Sequence, residues 1–154
     1  MNATATATNQ PSPDAATLLR RWFDEVWNQG NEAAIDQLLA ADATMWGVTR
    51  PDVSSQGSAE FKKFYRAMRA QFPDLKIALD QVVQEGDTAF ARWTVTATNN
   101  TAATTTDNRQ LKIVGMSCCR VHNGILVEGR NIWDQIGLAR QTGALSGPVA
   151  AMFP

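Results

Sequence analysis

Residues 110 to 145 read QLKIVGMSCCRVHNGILVEGRNIWDQIGLARQTGAL, and the order of elements written there decides the fold. The stretch predicts a strand, an Asn123-Gly124 turn, a second strand and a short helix, because Asn-Gly between alternating apolar segments is a strong hairpin signal. From Ile125 to Trp133 the alternation separates Ile125, Val127, Gly129, Asn131 and Trp133 from Leu126, Glu128, Arg130 and Ile132. One face of this strand is therefore mostly apolar and carries a single amide. That makes Asn131 the first candidate functional residue. Asp134 directly precedes the helix Gln135 to Gln141 and suits its N-cap.

Upstream of the hairpin, Leu75 to Gln84 and Thr88 to Thr98 alternate around the turn Glu85-Gly86-Asp87, and a Thr-rich loop, Asn99 to Asn108, leads into Leu111 to Val121. The N-terminal half reads as helices. Ser12 and Pro13 can cap and start one in which Leu18, Leu19, Trp22, Phe23, Val26 and Trp27 recur at helical spacing, ended by Asn28-Gln29-Gly30. Asn31 then caps a second helix with Ile35, Leu38 and Leu39, and Asp42 to Val48 is a short strand or turn exposing Met45 and Trp46. After a polar loop, Thr49 to Gly57, Ser58 caps a third helix striped by Phe61, Phe64, Tyr65, Met68 and Phe72 and stopped by Pro73.

Helices first and a meandering antiparallel sheet after is an α+β pattern in which the helices cover one face of the sheet. Such a sheet can curl into a cone. Its pocket side would carry Trp93, Val95, Ala97, Ile113, Gly115, Ser117, Cys119, Gly129, Asn131 and Trp133, closed by Trp27, Trp46, Phe61, Tyr65 and Met68 from the helical side. Arg92, Thr94, Arg120, Glu128 and Arg130 fall on the opposite face, where they can form cross-strand ion pairs or a subunit interface.

The 154 residues, 44% of them hydrophobic, fit one domain over residues 13–145 with a disordered tail at 1–12 and a C-terminal tail at 146–154. Fourteen basic against 15 acidic side chains with no basic run give no electrostatic footprint for nucleic acid or an anionic membrane surface. Neither a signal peptide nor a span of roughly 20 apolar residues is expected, which points to the cytoplasm. Adjacent Cys118 and Cys119 point to opposite faces of a strand and are read as reduced thiols. With His122 the lone histidine, the sequence offers no metal site.

The layout, together with VWNQGN at 26–31, ARWTVTAT at 91–98, GM at 115–116 and NGILVE…WDQIGLARQTG at 123–143, resembles the SnoaL-like polyketide cyclases over about Ala15 to Leu145. They belong to the nuclear-transport-factor-2-like superfamily, with the ketosteroid isomerases, limonene epoxide hydrolases and scytalone dehydratases. The resemblance implies an α+β cone with a deep apolar pocket, a homodimer joined through the sheet, a small-molecule substrate and no metal or organic cofactor. In cyclases an aspartate serves as acid/base for an aldol closure, assisted by histidines. This chain departs from the pattern. Gly129-Arg130-Asn131 stands where cyclases read His-Trp-Asp, Asn99 replaces a histidine after the RWT strand, and Met45-Trp46 replaces an acid–histidine pair.

An asparagine amide neither accepts nor releases a proton near neutral pH, but it can hydrogen-bond an oxyanion. Asn131 and Asn99 suit that task, and a preorganised donor in a dry pocket can be worth about 3 kcal/mol. Asp80 shares a face with Ala78 and Val82 and becomes the spare general base should it point inward. Trp27, Trp46, Phe61, Tyr65, Met68, Trp93, Ser117 and Trp133 are the candidate substrate contacts, with the indole N–H groups available as donors. Two functions follow: a cofactor-independent cyclase, isomerase or hydroxylase acting on a small apolar oxygen-bearing molecule, or a binding protein that kept the pocket and lost the chemistry. A scaffold used only for dimerisation would instead need a filled cavity.

Overall fold

The computed structural model describes residues 13–50, 52–99 and 110–144. The expected tails and nearly all of the Thr-rich loop lie outside these residues, as does Ser12. Helix α1, Ala15–Arg21, starts after Asp14, whose Oδ1 accepts the Thr17 N–H at 2.7 Å. Asp14, and not the expected Ser12-Pro13 pair, is thus the cap, because it alone sets a carboxylate against the unpaired amides of the first turn. The bond holds its carboxyl below the usual carboxylate range.

The α1 backbone continues as a π-helical segment, Trp22–Asn28, in which the Gln29 amide donates to the Asp24 carbonyl, five residues back. Helix α2, Ala33–Leu38, begins after Glu32 without the side-chain cap expected from Asn31, and Leu39 already belongs to strand β1. Strand β1, Leu39–Trp46, therefore starts three residues before the expected Asp42, and β2, Ser54–Gln56, forms inside the expected polar loop. Helix α3, Gly57–Gln71, starts at Gly57 without a Ser58 cap, the Ser58 hydroxyl being turned to the Asp36 carboxylate instead.

Strands β3, Lys76–Glu85, β4, Thr88–Thr98, β5, Gln110–His122, and β6, Ile125–Trp133, follow, and α4, Gln135–Gln141, closes the described chain. Asn123 and Gly124 both take positive φ, 49° and 76°, as a type I′ hairpin turn demands. Asp134 caps α4 by accepting the Gly137 N–H at 2.7 Å.

The six strands form one open sheet in the order β2-β1-β6-β5-β4-β3, and β1 runs parallel to β6. The sheet is thus mixed, where an antiparallel meander was expected. Helix α1 packs across β3 to β6 and α3 across β1, so the helices cover one face only. The Asn28 side chain extends the edge strand β3 like a further residue of sheet: its Oδ1 accepts from the Ile77 N–H at 2.7 Å and its Nδ2 donates to the Ile77 carbonyl at 2.8 Å.

Two irregularities set which side chains face the helices. Between β5 and β6, Arg120 pairs with Glu128 but Val121 pairs with Leu126, so Val127 is an extra residue in a bulge. Leu126 is consequently core and not outer-face as plain alternation predicts, while Gly129, Asn131 and Trp133 keep their inward parity. In β3 the register jumps from Leu79 opposite Trp93 to Gln81 opposite Arg92, leaving Asp80 in the bulge.

Candidate functional site

Between the sheet and the helices lies a cavity of about 830 Å³, counting its open mouth. Trp22, Phe23, Trp27, Phe61, Phe64 and Met68 form its helical wall. Tilted and edge-on ring packing fixes that wall: Trp22 and Phe61 lie 4.9 Å apart at 54°, and Trp27 meets Phe64 at 74° across 6.2 Å. Met45, Trp93, Val95, Ile113, Asn131 and Trp133 form the strand wall. The Trp93 ring fits because Gly115 lies opposite it, where an added Cβ would sit 2.3 Å from the indole.

No Asp, Glu, His, Lys, Arg, Cys or Tyr side chain lines this cavity among the described residues. Its one side chain that is neither hydrocarbon, thioether nor indole is Asn131. The orientation of this amide follows from a chain of hydrogen bonds with a fixed sense. The Trp93 Nε1–H can only donate, and it donates to the Ser117 Oγ at 2.9 Å. The Ser117 hydroxyl then donates to the Asn131 Oδ1 at 2.7 Å, and the Asn131 Nδ2 donates to the Trp46 carbonyl at 3.2 Å. Turning the amide over would set its oxygen against the Trp46 carbonyl oxygen, so the network locks it. Of the two Nδ2 hydrogens, one serves Trp46 and the second remains for a ligand acceptor.

The structure brings Asn131, Trp27, Phe61, Met68, Trp93 and Trp133 together on the cavity wall. Ser117 lies behind Asn131, and the Trp93 indole N–H, expected to be available to a ligand, is committed to Ser117. Trp46 turns to the outer face, where the Arg130 guanidinium lies 5.1 Å above its ring. Met45 faces inward in its place, as alternation along β1 requires. Tyr65 is buried against Trp27 outside the cavity, its ring 5.4 Å away, and burial pushes its hydroxyl pKa up.

Asn99 is only 1% exposed and donates through Nδ2 to the Gln141 carbonyl at 3.2 Å, tying the end of β4 to α4 away from the cavity wall. Asp80 faces outward with the exposed Ala78, accepts from the Thr94 hydroxyl at 3.0 Å and pairs with Arg92 at 3.9 Å. Neither lines the cavity. Burial pushes the Cys119 thiol up to about 12, so it carries no thiolate near neutral pH. Among the described residues no group of three His, Cys, Asp or Glu side chains converges as metal ligands would.

Reading the sequence missed Met45, Trp22, Phe23 and Phe64 as cavity residues. For Met45 a signal existed: in a strand only one of two adjacent residues can face inward. The aromatic residues of the first helix carried no such signal, since the π-helical turn that sets their directions follows no residue pattern.

A one-sided helical cover on an open mixed sheet, around an aromatic cavity with one oriented amide, defines an α+β architecture with an internal cavity. The chain belongs to the SnoaL-like polyketide cyclase family, whose sequence model matches residues 17–142. No curated protein matches the chain. Among solved structures it is similar to a candidate polyketide cyclase from Acidithiobacillus ferrooxidans, at 23% identity over 89% of this chain and 99% of that one, with a TM-score of 0.69. IdmH, a candidate polyketide cyclase from Streptomyces antibioticus, is 21% identical over 82% of this chain and 96% of its own, with a TM-score of 0.70. AclR, a candidate hydroxylase from Streptomyces galilaeus, is 21% identical over 84% and 95%, also with a TM-score of 0.70. These likenesses establish the shared fold: helices packed on a curved six-stranded sheet that does not close.

Proposed function

We propose that this chain is a cofactor-independent SnoaL-like enzyme of the cyclase, isomerase or hydroxylase type. Its substrate is a small, apolar, aromatic or polyketide-like molecule whose oxygen accepts a hydrogen bond from the Asn131 Nδ2. The observation that carries the reading is this amide, locked with its N–H side available, in a wall that otherwise offers rings and hydrocarbon. A ketone or phenolate oxygen placed there gains a donor without desolvating a charge, and negative charge developing on it is stabilised in a dry site. The cyclase and hydroxylase named among the similar structures support the same class of chemistry.

Among the described residues the wall holds no titratable proton acceptor, so a proton-transfer step through them would use the substrate's own groups or water. That favours a second reading, a protein that binds such molecules without turning them over. Both are tested with α-tetralone in D₂O, followed by NMR. Acceleration of α-proton exchange that falls at least about 100-fold in Asn131→Ala, with folding kept and Tm lowered by only several degrees, supports the enzyme. Binding without any exchange or product supports the second reading, and unchanged affinity and exchange in Asn131→Ala would falsify both.

The outer face of the sheet supports a homodimer formed through it. Ile132, 72% exposed, pairs with Met116, 64% exposed, and Val114, Phe90 and Val83 extend the apolar patch among charged neighbours. Sedimentation of the whole chain at micromolar concentration tests this association. Adjacent thiols on opposite faces of β5, neither in a disulfide, suit a reducing cytoplasmic setting.

A further inference from the structure

A second, smaller cavity of about 290 Å³, counting its open mouth, adjoins the main one. Trp22, Phe23, Met45 and Asn131 border both, whereas Cys119, Leu126 and Gly129 face only the smaller. It lies over β5 and β6 against Leu19, Trp22 and Phe23, beside the stretch where β1 loses register with β6: Leu39 pairs with Leu126 and Thr44 pairs with Glu128, so residues 40–43 of β1 stand opposite the single residue Val127.

Met45 is the partition. An added Cβ on Gly129 would lie 2.7 Å from both its Sδ and its Cε, so the tip of Met45 occupies the space that a larger residue at 129 would fill. An unbranched thioether with three rotatable bonds can leave such a position without moving backbone. The chamber behind it is neutral on its inner side. The Ser117 hydroxyl is committed to Asn131, the Cys119 thiol stays protonated, and Glu128 stands at the outer rim in ion pairs with Arg120 and Arg130.

We propose that Met45 determines ligand length: its side chain closes the floor of the main cavity, and its rotation admits the apolar tail of a longer ligand into the smaller chamber. The proposal rests on the main cavity being a ligand site, and it narrows the substrate class. An aromatic head sits among the tryptophans with its oxygen at Asn131, and an unbranched alkyl substituent runs past Met45 toward Leu126.

The test is a series of 4-alkylphenols, from ethyl to nonyl, titrated by quenching of tryptophan fluorescence. In the unsubstituted protein, affinity rises about fourfold per added methylene and stops rising at the length where the chain meets Met45. Met45→Ala moves that break to chains about three carbons longer, matching the three side-chain heavy atoms removed. Gly129→Ala pushes the Met45 tip into the main cavity and moves the break to shorter chains. Should Met45→Ala fail to fold, Met45→Val, which also lacks the Sδ and Cε atoms, carries the same expectation. A break that stays in place in these variants, with all affinities scaled alike, overturns the role of Met45 alone. A protein that binds none of the series overturns the ligand-site reading and this proposal with it.

Discussion

The two faces of the sheet differ in kind where β5 and β6 meet. On the inner face Trp93, Ser117 and Asn131 form a neutral chain of hydrogen bonds that ends at the cavity. On the outer face, one residue along the same strands, Arg120 and Arg130 flank Glu128, and Arg130 also covers Trp46. The hydrogen bond from Arg130 holds the Glu128 carboxyl below its usual range, so its small stabilising contribution is present at neutral pH and lost as the solution is acidified. Charge is kept where water solvates it, and the enclosed side is organised by dipoles alone. Among the described residues, a site so built offers an oriented amide to an oxygen and no titratable side chain of its own.

Asn131→Asp is the strongest attempt to break this contrast, because it sets a carboxylate in the neutral face. The new oxygen would oppose the Trp46 carbonyl, and burial raises the carboxyl pKa above its unfolded value of about 3.9. The protonated form is then favoured in the folded state. The expected cost is about 3 kcal/mol at pH 8, shrinking as pH falls below the folded pKa. Denaturant unfolding at pH 8 and pH 4 measures it, and an equal cost at both would show that the inner face tolerates charge.

Ser117→Ala sharpens the contrast from within. It strands the Trp93 indole N–H and unlocks the amide, for an expected loss of about 2 kcal/mol and weaker binding of aromatic ketones. Thermal melts and tetralone titration read the two effects, and a neutral result would show that the hydrogen-bond chain does not orient Asn131. The smallest intrinsic effect is expected outside. Ile132→Glu should shift the sedimenting species from dimer to monomer while changing the stability of the dilute monomer by less than about 0.5 kcal/mol. A dimer that survives the substitution places the interface elsewhere.

Much of this architecture was legible in the residues. The Asn123-Gly124 turn, the alternation along β4 and β5 and the inward parity of Asn131 all follow from local chemistry, and all are present in the fold. What escaped was non-local. Leu126 was misdirected by a bulge, which shifts parity without any change in residue type, and the direction of Asp80, left open by the alternation, is outward. Asn99 sits at the end of β4 as a ligand would want, yet its amide is taken by the α4 backbone, 42 residues away in sequence. Tyr65 lies on the apolar stripe of α3, and which part of that stripe meets empty space depends on neighbours that periodicity does not specify.

The π-helical segment Trp22–Asn28 has a consequence for how this cavity tolerates changes in chain length. Its wide turn accommodates one more residue than an α-helical turn of the same rise, and side chains five apart, such as Trp22 and Trp27, come to share one wall. Deleting a single residue there would let the segment relax into a regular α-helix with the chain after it nearly unchanged in direction, whereas the same deletion in an α-helical turn would swing everything after it by about 100°. The wide turn is thus the one place in this wall where a residue can be lost while Asn28 keeps its place beside Ile77.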